Sequence, residues 1–144
     1  MSTMNNPEQL ADRQSVADLC SRYALALDRN DWQALTEIFD TDGVMDFAHV
    51  GEVSGPAAIA EICSQALTSL DGSQHLVGTI LVTVDGDRAS SISYFHAQHV
   101  KAGEIYTVGG QYVDRARRTS GGWKLAHRVQ TVTWTSGDEK VLSA

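Results

Sequence analysis

Cysteine is scarce in this 144-residue sequence, and so is proline, with two residues of each. The two cysteines, Cys20 and Cys63, are too few for a disulfide framework. Because each falls within a helical pattern, we expect buried free thiols in a reducing compartment. No apolar run is long enough to span a bilayer. The first seven residues also lack the regions of a signal peptide, so the sequence predicts a cytoplasmic protein with no membrane partner.

Positive charge is in short supply as well. The chain has 11 Lys and Arg residues against 18 Asp and Glu residues, which gives a formal net charge of −7. The basic run Arg115-Ala116-Arg117-Arg118 is short and lies beside a turn. Because no basic stripe is available to neutralise phosphates, nucleic acid is not an expected partner.

Motifs for metals and nucleotides are missing too. The five histidines have no spacing typical of a zinc or facial-triad site, so no metal is expected. Gly109 and Gly110 lie inside a strand pattern and open no helix, which argues against a phosphate-binding loop and for a bulge or bend. The sequence therefore predicts a protein that works without a cofactor.

Helix patterns occupy the first half of the chain. The first helix is predicted from Pro7, with Asn6 as its N-cap, to Asp28. Two further helices are predicted at residues 31–39 and 56–67. The apolar face of the first helix consists of residues at helical spacing: Val16, Leu19, Cys20, Tyr23 and Leu27.

Strand patterns dominate after residue 73. A shorter strand is predicted earlier, at 44–50, between turns at 40–43 and 51–55. The tails at 1–6 and 137–144 are polar, and we expect the second to be mobile. The long strands are predicted at residues 74–84, 88–100, 105–118 and 123–134.

Three helices followed by long antiparallel strands predict an α+β fold in a single domain over residues 1–144. Long strands twist and cannot stay flat, so the sheet should curl into a cone that the helices close on one side. The interior of that cone is the expected pocket.

Both faces of the predicted sheet carry apolar residues. Three short helices cannot cover the convex face as well, so we expect a homo-oligomer.

Alternation along the strand at 88–100 separates two sets: Ile92, Tyr94, His96 and Gln98 on one face, and Ser93, Phe95, Ala97 and His99 on the other.

Motifs along most of the chain point to a known family. They are Tyr23, Asp28, Asp31-Trp32, Gln74-His75 with Gly78, Gly109-Gly110-Gln111-Tyr112-Val113-Asp114-Arg115, and Gly122-Trp123-Lys124-Leu125-Ala126-His127-Arg128. Together they resemble the SnoaL-like branch of the nuclear transport factor 2-like superfamily, and most of all its scytalone dehydratase and hexachlorocyclohexane dehydrochlorinase group. The resemblance implies a cone-shaped α+β barrel, and it favours a trimer over a dimer.

The resemblance also implies site residues. It places an Asp–His dyad on Asp28 and His75. A second pocket histidine of the dehydratase is best matched by His96, and a pocket arginine of the dehydrochlorinase by Arg128.

The chain departs from the dehydratase pattern where that enzyme holds its substrate. Two substrate-holding tyrosines fall on Leu27 and Phe47, which have no hydroxyl. A serine and an asparagine fall on Gly110 and Tyr112. The resemblance therefore implies the base but not the substrate.

An imidazole oriented by a carboxylate suits proton transfer near neutral pH. In this hypothesis His75 removes a proton α to a carbonyl, while Asp28 fixes its tautomer and stabilises the imidazolium. His96 would help a β-hydroxyl to leave. The enolate needs a hydrogen-bond donor. The predicted substrate-binding residues are Tyr23, Phe47, Tyr94, Tyr112 and Arg128.

The sequence thus predicts a cofactor-independent lyase of the dehydratase type, acting on a small cyclic or polycyclic, mostly apolar carbonyl compound. A polyketide cyclase or isomerase, and a non-catalytic binding or assembly module, stay open as alternatives, because fold does not fix function. Arg128 is equally compatible with pairing to a carboxylate such as Asp46. The remaining histidines, His49, His99 and His127, are interpreted as structural or exposed.

Overall fold

The helices lie where the sequence predicts them. A computed structural model describes residues 6–143, so the N-terminal tail up to residue 5, and residue 144, lie outside the described residues. Asn6 accepts the backbone N–H of Glu8 at 2.9 Å, and Asp31 accepts that of Ala34 at 3.1 Å, which is how N-cap side chains satisfy the first turn of a helix. The helices are α1 (Pro7–Asp28), α2 (Trp32–Ile38) and α3 (Pro56–Leu67).

Six strands form one sheet in the order β2-β1-β6-β5-β4-β3. All neighbouring pairs are antiparallel except β1 and β6, which run parallel. This confirms the predicted α+β architecture. The strands are β1 (Phe39–Phe47), β2 (Gly51–Ser54), β3 (Gly72–Asp85), β4 (Arg88–Lys101), β5 (Glu104–Thr119) and β6 (Gly122–Gly137).

The first strand corrects the prediction. The predicted turn at 40–43 belongs to β1, and the register against β6 shifts between Phe39 and Val44. Residues 51–54, predicted as a turn, form β2 and pair with β1 instead. Turn-like residues here build a bulge and a short edge strand, because β6 supplies the pairing of β1, and β1 in turn supplies that of β2, which local propensity does not indicate.

The sheet is strongly curved but does not close, since β2 and β3 remain its two edges. The predicted barrel is therefore an open cone. Register shifts in β3, between Gly78 and Leu81, and in β5, between Gly109 and Gly110, mark bulges of the kind that bend strands. The helices close the concave side and bury an apolar core there.

The C-terminal segment is ordered, so the prediction of a mobile tail is wrong for its described part. Residues Glu139–Leu142 form a 3-10 turn capped by Asp138, and Val141 is buried. Gly137 has φ +96°, which a side-chain-bearing residue would tolerate poorly, and it lets the chain fold back towards the cone. In the described part of the chain, no helix is both long and apolar enough to cross a membrane.

Candidate active site

A cavity of about 460 Å³ lies between the concave face of the sheet and the helices. Two larger depressions, of about 740 and 530 Å³, lie elsewhere on the surface, but neither contains the predicted dyad. The inner cavity combines apolar walls with a few polar groups, as small-molecule sites do. Its apolar lining includes Leu27, Phe47, Ile62, Leu67, Phe95, Val108 and Val132.

Asp28 and His75 meet at one side of this cavity. Asp28 ends α1, and its Oδ1 lies 2.7 Å from Nδ1 of His75 on β3. The same carboxylate accepts the backbone N–H of His75 at 2.9 Å and the hydroxyl of Ser73 at 3.2 Å. The carboxylate fixes the tautomer with the proton on Nδ1, so Nε2 carries the free lone pair. The predicted contact is present, and its catalytic role stays a prediction.

Besides His75, two histidines line the cavity: His49, interpreted from sequence as structural or exposed, and His99. His99 is buried, and its ring lies edge-on to that of His75, with 5.6 Å between the ring centroids. Its Nδ1 lies 3.0 Å from the carbonyl oxygen of Tyr106 and donates to it, so Nε2 is an acceptor. Burial lowers the pKa of His99 from its ordinary value, which favours the neutral ring.

The predicted pocket positions of His96 and Tyr94 are wrong. Both side chains lie on the outer face of β4, where His96 packs on Trp134 with 5.4 Å between the ring centroids and Tyr94 is exposed. Alternation grouped these residues correctly but could not tell which group faces inward. The inward group includes Phe95, Ala97 and His99, so His99, interpreted from sequence as structural or exposed, takes the inner position.

Tyr23 and Tyr112 both line the cavity, as predicted for substrate-binding residues. Burial raises the pKa of each phenol above its ordinary value, so both hydroxyls keep their protons at neutral pH. The Tyr23 hydroxyl donates to the sulfur of Met45 at 3.5 Å, and sulfur is a weak acceptor. Among residues 6–143 the Tyr112 hydroxyl has no hydrogen-bond partner, so both groups are available as donors.

Arg128 lies behind these two rings and does not line the cavity. Its guanidinium carbon is 4.5 Å from the ring centroid of Tyr23 and 4.0 Å from that of Tyr112. Its ion-pair partner is Asp114, not Asp46. Arg128 therefore supports the tyrosines rather than touching a ligand in the cavity, which corrects its predicted role.

The remaining cavity residues were predicted only in part. Phe47 lines the wall as predicted, whereas Gln130 on β6 was missed. Cys63 also faces the cavity, and burial raises the pKa of its thiol to about 12, so a thiolate nucleophile is disfavoured. No group of three His, Cys, Asp or Glu side chains suited to a metal ion is found within residues 6–143.

The C-terminal turn contributes to the cavity as well. Glu139, Lys140, Leu142 and Ser143 line it, and Leu142 packs against the core. A polar segment after the last strand carries no sequence signal for such a position. Alternation places His99 on the same face of β4 as Phe95. It could have identified His99 as a cavity residue once the inner face of that strand was known.

Comparisons with known proteins identify the family of this chain. Residues 8–129 match the SnoaL-like domain family. An uncharacterised protein of Mycobacterium tuberculosis is 31% identical over 133 residues, which cover 90% of each chain.

Solved structures give the same fold. A candidate aromatic-ring hydroxylase from Novosphingobium aromaticivorans is 29% identical, with a TM-score of 0.84 over 93% of this chain and 98% of its own. A candidate scytalone dehydratase from the same organism is 22% identical, with a TM-score of 0.82 and coverage of 91% and 90%. A type 2 hexachlorocyclohexane dehydrochlorinase is 18% identical, with a TM-score of 0.83 and coverage of 95% of each chain. At 22% and 18% identity, the last two likenesses speak for the fold alone. By its family match, this chain is a member of the SnoaL-like domain family, with the cone fold of the nuclear transport factor 2-like superfamily.

Proposed function

We propose that the protein is a cofactor-independent lyase that eliminates water from a small cyclic carbonyl compound. The single observation that carries the proposal is the contact between His75 Nδ1 and Asp28 Oδ1 at 2.7 Å, beside a largely apolar cavity. Solved structures with the same fold are named as a candidate dehydratase and a dehydrochlorinase, which supports chemistry on small molecules.

In the proposed reaction, Nε2 of His75 takes a proton from the carbon α to the carbonyl. Asp28 stabilises the imidazolium that forms, because its carboxylate is already in hydrogen-bond contact with Nδ1. The electron pair of the broken C–H bond moves onto the carbonyl oxygen as an enolate. We assign the Tyr23 hydroxyl as its donor, because a sulfur acceptor holds that hydroxyl only weakly.

The enolate then expels the β-hydroxyl group and forms a carbon–carbon double bond. The leaving oxygen needs a proton, and His99 is a poor source because its Nδ1–H is held by Tyr106 and its Nε2 is an acceptor. The imidazolium of His75 can return the same proton to the leaving group, so the products are an unsaturated carbonyl compound and water. His75 therefore acts first as the base and then as the acid, and the reaction balances with this one residue. The β-hydroxyl group must leave from the face of the substrate that His75 occupies.

Isomerisation is the second candidate function, and it is favoured because His99, the histidine beside His75, has no proton on Nε2 to give to a leaving group. If His75 returned its proton to another carbon of the enolate, the double bond would migrate and nothing would leave. The first step is the same in both reactions.

That shared first step provides the test. Cyclic ketones such as 1-tetralone are incubated with the protein in D₂O, and loss of the α-proton signal is followed by NMR. We expect catalysed exchange in the wild-type protein and loss of roughly 10²–10⁴-fold in His75→Ala, the range for general base catalysis. A second assay with a β-hydroxy cyclic ketone separates elimination from isomerisation. Absence of exchange with every ketone that binds would leave the binding-module alternative.

A further inference from the structure

Gln130 on β6 is a half-buried amide at the wall of the cavity. Its Oε1 lies 3.3 Å from the backbone nitrogen of Ala48, and a backbone N–H can only donate. The oxygen of the amide is therefore the atom that faces Ala48, and the NH₂ group is turned to the other side. No acceptor for this NH₂ group is found among residues 6–143, and Gln130 lines the cavity.

A second donor lies beside it. Tyr112 on β5 is the direct cross-strand neighbour of Gln130 on β6, and both side chains line the cavity. Directly opposed residues on one face of an antiparallel pair have Cβ atoms about 4.5–5.5 Å apart. The Tyr112 hydroxyl also has no partner within the described chain. The two residues thus form a pair of donors without an acceptor.

Gln130 is at the far side of the cavity from the base, and Tyr112 lies between them, one strand nearer the base and with its ring centroid 5.6 Å from that of Tyr23. His75 is on β3 and Gln130 is on β6, with β4 and β5 between them. Neighbouring strands are about 4.8 Å apart, so three spacings correspond to roughly 14 Å across the strands. The two positions are also offset along the strands, because His75 opposes Ala97 on β4 whereas Tyr112 opposes Ser93. A ligand that touches both must extend through most of the cavity of about 460 Å³, which favours a bicyclic compound over a single ring.

We propose that Gln130, together with Tyr112, determines specificity by binding a second oxygen at the end of the ligand remote from its reacting carbon. This inference rests on the proposed function in one respect only, the assignment of which end of the ligand reacts. The ligand class is an oxygenated bicyclic carbonyl compound rather than an unsubstituted or halogenated hydrocarbon. A hydrocarbon would leave both donors without an acceptor, and it would displace the water that can otherwise satisfy the half-buried Gln130 amide.

Two ketones of matched shape test the proposal at equilibrium. In 6-methoxy-1-tetralone the remote substituent carries an acceptor oxygen, and in 6-ethyl-1-tetralone a methylene group replaces that oxygen. Isothermal titration calorimetry gives the Kd of each ketone for the full-length protein. We expect the wild-type protein to bind the methoxy compound roughly 5–10-fold more tightly, as one net hydrogen bond of about 1 kcal/mol implies.

Three variants assign the preference to the donors. Gln130→Met keeps the length of the side chain but removes the NH₂ group, and Gln130→Glu keeps an oxygen for Ala48 without that donor. Both Gln130 variants and Tyr112→Phe should reduce the preference, because each removes one of the two donors and leaves the other. Gln98→Met makes the same change on the outer face of β4, where the side chain is exposed, and should retain the wild-type preference.

Several results would overturn the inference. They are failure of the wild-type protein to bind either ketone, equal wild-type affinities, or a preference that is undiminished in both Gln130 variants. Because no turnover is needed, the result is separable from the exchange assay. A preference without α-proton exchange would support this ligand class and contradict the lyase. Exchange without a preference would support proton transfer by the protein and contradict this ligand class.

Discussion

Arg128 and Asp114 form a bidentate ion pair in the interior of the cone. Nε of Arg128 lies 2.8 Å from Oδ1 of Asp114, and Nη2 lies 2.8 Å from Oδ2, with neither side chain exposed to solvent. The guanidinium is enclosed by the rings of Tyr23 and Tyr112. The pair therefore fixes the wall that presents both phenol hydroxyls to the cavity.

Removing one member of this ion pair should strongly destabilise the folded protein. Asp114→Ala leaves the Arg128 cation buried without its counter-charge, for which we expect a loss of about 3–5 kcal/mol in the free energy of unfolding. Urea denaturation followed by circular dichroism measures it. Asp87→Asn changes the partner of Arg118 at an exposed position and should have little effect. Equal losses in the two variants would contradict this account of the wall.

Buried His99 should make stability depend on pH. Because burial lowers its pKa in the folded protein, the unfolded chain binds a proton more readily, and stability falls as the pH drops below the ordinary value of 6.5. The loss ends once the pH is below the lowered folded pKa. Unfolding free energies of the wild-type protein and His99→Gln are compared at pH 7.5 and 5.5. The variant should lose less stability on acidification, and an unchanged pH dependence would refute the assignment.

The outer face of the sheet should be an interface between copies of this chain. Leu81, Ile92 and Val113 are cross-strand neighbours there and are all exposed. Other exposed apolar side chains extend the patch: Leu76, Tyr94 and Trp134. A continuous apolar patch of this kind is typical of an interaction surface.

The expected assembly is a homo-oligomer, with a trimer favoured by the family resemblance and a dimer next. Ile92→Glu places a charge in the centre of the patch and should dissociate the assembly, which multi-angle light scattering detects. Leu25→Glu makes the same change at a similarly exposed position on α1 and serves as the control. A wild-type monomer at micromolar concentration would contradict the prediction.

The sequence predicted helices and long strands well because caps, apolar spacing and hairpin turns are local signals. The N-caps Asn6 and Asp31 and the turns after β3, β4 and β5 are examples. It failed at 40–43, where pairing of β1 with the distant strand β6 decides the structure, and at 51–54, which form an edge strand only because β1 offers them a partner. The C-terminal turn was missed for a similar reason, since Val141 is buried only because the cone lies beside it.

The sequence predicted the site only as far as alternation within a single strand allows. Alternation grouped His96 with Tyr94 and His99 with Phe95, but the inner face of β4 depends on which side the helices cover. The partner of Arg128 could not be read from sequence either, because Asp114 and Asp46 are both on strands next to β6. The contact between Asp28 and His75 was predicted through the family resemblance rather than from spacing.

The central claim is that Asp28 and His75 act as one acid–base unit. Its most direct test is the single-turnover rate of water elimination from a β-hydroxy cyclic ketone by the wild-type protein, His75→Ala, Asp28→Asn and the double variant. We predict that each single substitution lowers the rate by roughly 10²–10⁴-fold and that the double variant is little slower than either, because both remove the same unit. Near wild-type rates in the folded single variants would contradict the claim and assign the contact at 2.7 Å a structural role.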